Sequence, residues 1–198
     1  MNTNKLKTFA QDARNILLPN ITQRLRYWGF DDKGNFENEL ITVQGGYLFR
    51  GKPYADTTVP LKLERLAEKI NSAQAFKDVR EEAAYTWFNR LMAIKILEAN
   101  GYDAPVLAYA EDGRTPMLLQ NAKRGHFTFV PESSQALLRT YLTNSQDEEA
   151  FALLLTHYCN QHDMLRTVFG KINDYTEILT PMNLLSANGL VQLINAND

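Results

Sequence analysis

Apolar residues recur at Leu6, Phe9, Ala10, Ala13, Ile16 and Leu17, a spacing of three and four that predicts an amphipathic helix with Lys5, Lys7 and Arg14 off its stripe. Pro19 has no amide proton, so the helix is expected to kink or restart there, resume through Ile21 and Leu25 toward Trp28, and stop at Gly29. DDKGN at 31–35 reads as a turn. From 39 to 50 the period changes to two, with Ile41 and Val43 on one side of Gln44-Gly45-Gly46 and Tyr47 and Phe49 on the other, which predicts a short β-hairpin. Two strands alone are marginal in water, so the hairpin must lie on helices.

Thr57 or Thr58 can cap a helix that starts near Pro60 and points Leu61, Leu63, Leu66, Ala67 and Ile70 inward. The stretch EEAAYTWFNRLMAIKILEANGY, residues 81–102, is apolar around most of its circumference, as expected of a central helix contacted from several sides and ended by Gly101. Trp87 and Phe88 read as core anchors. Its polar residues Glu82, Thr86, Asn89 and Arg90 step by three and four and so form one seam, whose buried members must be paired. Beyond an Asp112-Gly113 turn, Thr115-Pro116 should open a short helix through Ala122. Another helix covers about 133–143. Ser145 should cap one reaching 161, with Asp147, Glu148 and Glu149 in its first turn, and two short helices flank Pro181. The sum is a mainly α fold, a multi-helix domain around a central buried helix with a small β-hairpin insertion near 39–50, counted as one domain over 1–198.

With 198 residues the chain can bury a core without staples. Cys159 is the only cysteine, so no intrachain disulfide forms; it reads as a small core hydrophobe in a reducing compartment. The amino terminus lacks the apolar stretch of a signal peptide and no long apolar run occurs, so a cytoplasmic protein with no membrane partner is expected. A net charge of −2 gives no overall field toward nucleic acid. The first 30 residues nevertheless hold Lys5, Lys7, Arg14, Arg24 and Arg26 against Asp12 alone, which is either a solvated helix face or a patch that faces phosphates.

Candidate chemistry is sparse. Five residues of helix turn a side chain by about 140°, so His157 and His162, with Cys159 between them, point apart and no metal site is expected. His126 stands alone in a loop. Gly45-Gly46 is followed by no Gly-Lys-Ser/Thr, since GKP at 51–53 puts proline where the hydroxyl belongs. Glu148, Glu149, Asp174 and Glu177 fit helix starts and surface better than an acid–base pair. No catalytic residue emerges, and the residues taken alone describe a helical binding or scaffold domain.

Three stretches carry a resemblance: MNTNKLKTFAQDARNIL with RLRYWGFDDKG, then EEAAYTWFNRLMAIKILEANGY, and finally INDYTEILTPMNLLS. In that order, and over nearly the whole chain, they resemble the amino-terminal region of PglX-type adenine-specific DNA methyltransferases of BREX phage-defence systems. The resemblance implies a parent enzyme that moves a methyl group from S-adenosylmethionine to the exocyclic amine of adenine. Its catalytic domain, with a glycine-rich motif and an Asn-Pro-Pro-Tyr motif, is expected beyond residue 198. Neither motif occurs here, so no cofactor is expected within this fragment. The implied partners are that catalytic domain, duplex DNA, and other BREX proteins or phage inhibitors. Lys5, Lys7, Arg14, Arg24, Arg26, Arg50 and Lys52 are expected to contact phosphates. Glu82, Thr86, Asn89 and Arg90 are expected to be internal or interdomain polar contacts. The alternative is an interaction module that binds another defence component or a phage inhibitor.

Overall fold

A computed structural model describes residues 3–172 and 174–197. The first helix, α1 (Thr3–Tyr27), runs unbroken through Pro19. Pro19 and Asn15, whose carbonyl loses its usual partner, are both exposed, so that carbonyl is open to solvent. Ala13, Leu17, Ile21 and Leu25 form its buried stripe, while Leu6 and Ala10 are exposed, so the stripe starts later than expected. The helix stops at Gly29, which has φ +100°.

The insertion has three strands where two were expected: β1 (Leu40–Val43), β2 (Gly46–Phe49) and β3 (Lys52–Tyr54), antiparallel in that order. Arg50 and Gly51, at φ 51° and 75°, make a tight two-residue turn that doubles the chain back. Pro53 is tolerated because β3 is an edge strand, where it pairs with Leu48. Tyr47 and Phe49 are buried, whereas Ile41 and Val43 on the outer strand β1 face solvent.

Helix α2 (Val59–Lys69) buries Leu63, Leu66 and the following Ile70, but Leu61 is 57% exposed. Residues two apart do not share a helix face, so Leu61 and Leu63 cannot both point inward. Thr58 sits at the cap without accepting a helix amide, because its hydroxyl donates to Asp56 at 2.8 Å and accepts from Lys62 Nζ at 3.0 Å.

Helix α3 (Ala73–Ala99) starts well before residue 81, with the Ser72 hydroxyl accepting the Ala75 N–H at 3.1 Å. It buries Phe76, Val79, Ala83, Ala84, Trp87, Leu91, Ile94 and Leu97, and α1 packs along it. It is not covered all round: Tyr85 and Ile96 lie 71% and 60% exposed. Four more helices follow: α4 (Met117–Lys123), α5 (Glu132–Thr143), α6 (Asp147–Gln161) and α7 (Asp163–Phe169). A 3-10 turn at Glu177–Leu179 and α8 (Leu190–Asn195) complete the chain. Two expected caps are absent. The Thr115 hydroxyl is drawn back to Asp112 at 2.5 Å, and Ser145 adopts φ 54° in the turn between α5 and α6.

The segment after α7 is stitched to the core by bonds to its backbone. Trp28 Nε1 donates to the Ile178 carbonyl at 2.8 Å, and Glu148 accepts the amides of Leu184 and Leu185 at 3.1 and 2.8 Å. Asn160 both donates to and accepts from Ile172, at 2.8 and 2.6 Å. Among the described residues no helix is long and apolar enough to cross a membrane.

Cys159 is buried on α6, and burial pushes its thiol up to about 12. Since the thiolate is the reactive form, an aromatic disulfide reagent should modify the native chain only at the rate of unfolding. The reaction should accelerate sharply across the urea transition; fast modification of the folded chain would contradict this burial.

Candidate nucleic-acid interface

The cations expected to face phosphates are held in different ways. Lys5, Lys7 and Arg26 are exposed on α1, but Lys7 and Arg26 stand roughly 28 Å apart at 1.5 Å per residue. Arg14 donates to Glu81 at 2.8 Å, joining α1 to α3. Arg24 turns inward, with Nε donating to the Thr180 carbonyl at 2.9 Å, and burial lowers its pKa. Arg50 makes a forked pair with Glu39, at 3.0 and 3.2 Å, while Lys52 is exposed on β3.

Arg26 borders two depressions that differ in sign. One, of about 290 Å³, lies between α1 and α3 and is lined by Leu18, Pro19, Thr22, Gln23, Arg26 and Arg80, with no carboxylate. The other, of about 490 Å³, sets Asp31, Glu37 and Glu39 against Arg26 and Arg50. A phosphate is attracted to the first and opposed in the second.

Arg80 is the residue that reading the amino-terminal cations overlooked. It follows the buried Val79 on α3, so its side chain lies at the edge of the face packed on α1. Its Nη2 is 3.7 Å from Glu81, and its buried Nε has no hydrogen-bond partner among the described residues. Gln23 uses its carbonyl oxygen to accept from Asn183 at 2.6 Å, which leaves its amide nitrogen as a donor beside the two arginines. Arg26, Arg80 and the Gln23 amide thus present donors to the groove, while the Thr22 hydroxyl donates to the Leu18 carbonyl at 2.8 Å.

The polar seam of α3 runs from the surface inward. Glu82 is exposed, pairs with Lys69 at 2.7 Å and accepts from the Tyr175 hydroxyl at 3.2 Å. Thr86 and Asn89 are half-buried. Arg90 is buried, donates through Nη2 to the Phe169 carbonyl at 3.3 Å, and lies about 6 Å from the Trp87 and Phe169 rings. Its Nη1 has no hydrogen-bond partner among the described residues, and burial lowers its pKa. Both ends of the seam thus reach the segment 169–175.

No group of three or more His, Cys, Asp or Glu among the described residues is placed to hold a metal. His162 Nε2 lies 3.1 Å from Asp103, and its Nδ1 caps α7 by accepting the Leu165 amide at 3.4 Å. His126 is exposed. Glu177 pairs with the buried Lys62 at 2.7 Å, and Asp174 accepts from the amide and hydroxyl of Thr176. Apart from His126, these groups, like Glu148, have side-chain bonds within the fold.

No protein-family model matches the chain. It is similar to the adenine-specific methyltransferase BrxX of Escherichia coli O9:H4 (strain HS), 31% identical over 199 residues that cover 97% of this chain and 16% of the relative. It is also similar to the adenine-specific methyltransferase PglX of Lacticaseibacillus casei (strain Zhang), 27% identical over 202 residues that cover 90% of this chain and 16% of the relative. The chain spans about one-sixth of the length of these curated relatives.

Proposed function

Because the chain belongs with the PglX-type proteins and fits an amino-terminal fragment of one, we propose that it is their helical support and DNA-holding module. In this reading the module braces the catalytic domain of a BREX adenine-specific methyltransferase and closes on duplex DNA. Methyl transfer from S-adenosylmethionine belongs to the catalytic domain, and the module is not catalytic by itself.

The observation that carries the DNA-holding part is the groove between α1 and α3, where Arg26 and Arg80 share a concavity that no carboxylate lines. Contacts of that kind supply affinity without reading sequence, because they replace counterions condensed on the phosphates. Lys5 and Lys7 are exposed near the start of α1, with Lys7 roughly 28 Å from Arg26, and Arg50 is already committed to Glu39, so the groove itself carries the reading.

Fluorescence anisotropy of the 198-residue chain with a labelled duplex tests the reading. Binding is expected to be indifferent to sequence and to weaken steeply from 50 to 200 mM salt. A chain that ignores duplex DNA at low salt, yet retains a protein partner from a nuclease-treated lysate, would favour an interaction module instead.

A further inference from the structure

A cleft of about 270 Å³ opens between the end of α1, the small sheet and the pair α5–α6. Arg24 lines it, and Arg24 and Arg26 are about 200° apart around α1, so the cleft and the phosphate groove open on different sides of that helix. Its walls are aromatic. Tyr27, Tyr54 and Tyr141 line it half-buried; Tyr27 hydrogen-bonds Tyr54 and is flanked by the Arg24 and Arg50 guanidiniums, and Tyr54 is stacked on Tyr47, so among the described residues Tyr141 is the one of the three that no ring or guanidinium covers. Burial pushes the Tyr27 phenol up to about 12 and raises that of Tyr141 as well, so both remain O–H donors at neutral pH.

The charge around the cleft is balanced. Arg24 and Lys52 stand against Asp56 and Glu149, since Glu177 is neutralised by Lys62. An anion drawn to Arg24 meets Glu149, and a cation drawn to Glu149 meets Arg24, whose electrostatic partners include that carboxylate. What suits both is a neutral flat ring that offers π-faces to tyrosine and a mixed edge of donors and acceptors to Arg24 and Glu149. Nucleobases have that chemistry, and stacking on aromatic side chains accepts any of them.

We propose that the cleft is a binding site for a single unpaired nucleobase, stacked on Tyr141 with its polar edge between Arg24 and Glu149. The base comes from a free nucleoside or from a strand that displays one unpaired base, and the test distinguishes these sources. It is also independent of the proposed duplex contacts, because the groove residues Arg26 and Arg80 are outside the cleft.

Adenosine and cytidine are titrated into the 198-residue chain by calorimetry, and a duplex with a one-base bulge is compared with its fully paired counterpart by anisotropy. The expected result is saturable nucleoside binding, or several-fold tighter binding of the bulged duplex, either of which Tyr141→Ala weakens about tenfold. The Arg26→Ala, Arg80→Ala double variant should leave the nucleoside affinity, or the bulged-to-paired ratio, unchanged. Nucleoside binding without bulge preference identifies a free ligand; bulge preference without nucleoside binding identifies a strand. Glu149→Gln, at an exposed position, should change the ratio of adenosine to cytidine affinity, or of adenine-bulge to cytosine-bulge affinity, and serves if Tyr141→Ala does not fold. Absence of both forms of binding in the wild type, or binding that no cleft substitution alters, overturns the proposal.

Discussion

Truncation of Trp87 to alanine is expected to destabilise the chain by about 3–5 kcal/mol. The residue is the largest fully buried side chain and lies in the middle of α3, against which α1 packs. Deleting it removes apolar contact and leaves a cavity that two rigid helices cannot close. The indole Nε1 has no hydrogen-bond partner among the described residues, so the native side chain already carries the cost of a buried, unsatisfied donor. Trp87→Phe removes that donor while keeping a ring, and should therefore cost less than half as much as Trp87→Ala. Urea denaturation at constant m-value measures both. An alanine variant within about 1 kcal/mol of wild type would mean that α3 is not the core element.

The second large effect is expected at Gly29. Its φ of +100° is costly for any residue with a Cβ, on the order of 1–3 kcal/mol. A Cβ there would also lie 2.1 Å from the Glu37 carbonyl oxygen, and Gly29's own carbonyl accepts the Glu37 amide at 2.9 Å. Gly29→Ala must push this backbone pair apart, which adds a packing penalty of roughly 1–3 kcal/mol. Gly101, at φ +68° after α3, is the control, because nothing lies within 4 Å of a Cβ built there. Gly101→Ala should cost only about 1 kcal/mol. Equal melting temperatures for the two variants would show that the close approach at Gly29 is not present in solution.

These two sites illustrate what a one-dimensional pattern conveys. The apolar period of α1 and α3 is written in residue spacing, as is the stop at Gly29, because both follow from local geometry. The third strand was hidden because its turn uses Arg50 at positive φ, a conformation that an arginine does not advertise. Helix α7 was hidden because a single residue, its cap His162, separates it from α6, with no glycine or proline between them.

The candidate interface was legible in the sign of its charges but not in their pairing. Arg14 meets Glu81 across 67 positions, and Arg24 meets Thr180 across 156, and neither meeting leaves a periodic trace. Arg80 joins Arg26 only because α1 and α3 pack side by side. The seam residues Glu82, Thr86, Asn89 and Arg90 could be grouped from helical spacing, but their facing segment at 169–175 could not. The tyrosine cleft draws on six separate stretches of chain, so no motif announces it.

The salt dependence of duplex affinity in two double variants bears most directly on the proposed function. For Arg26→Ala with Arg80→Ala, the slope of log K against log salt should become shallower by about 1.8, the loss of two phosphate contacts. For Arg50→Ala with Lys52→Ala the slope should change by less than half as much, because Arg50 is engaged by Glu39. A wild-type slope retained by the first pair, or no salt-dependent binding in the wild type, would contradict the assignment of the α1–α3 groove to the DNA backbone.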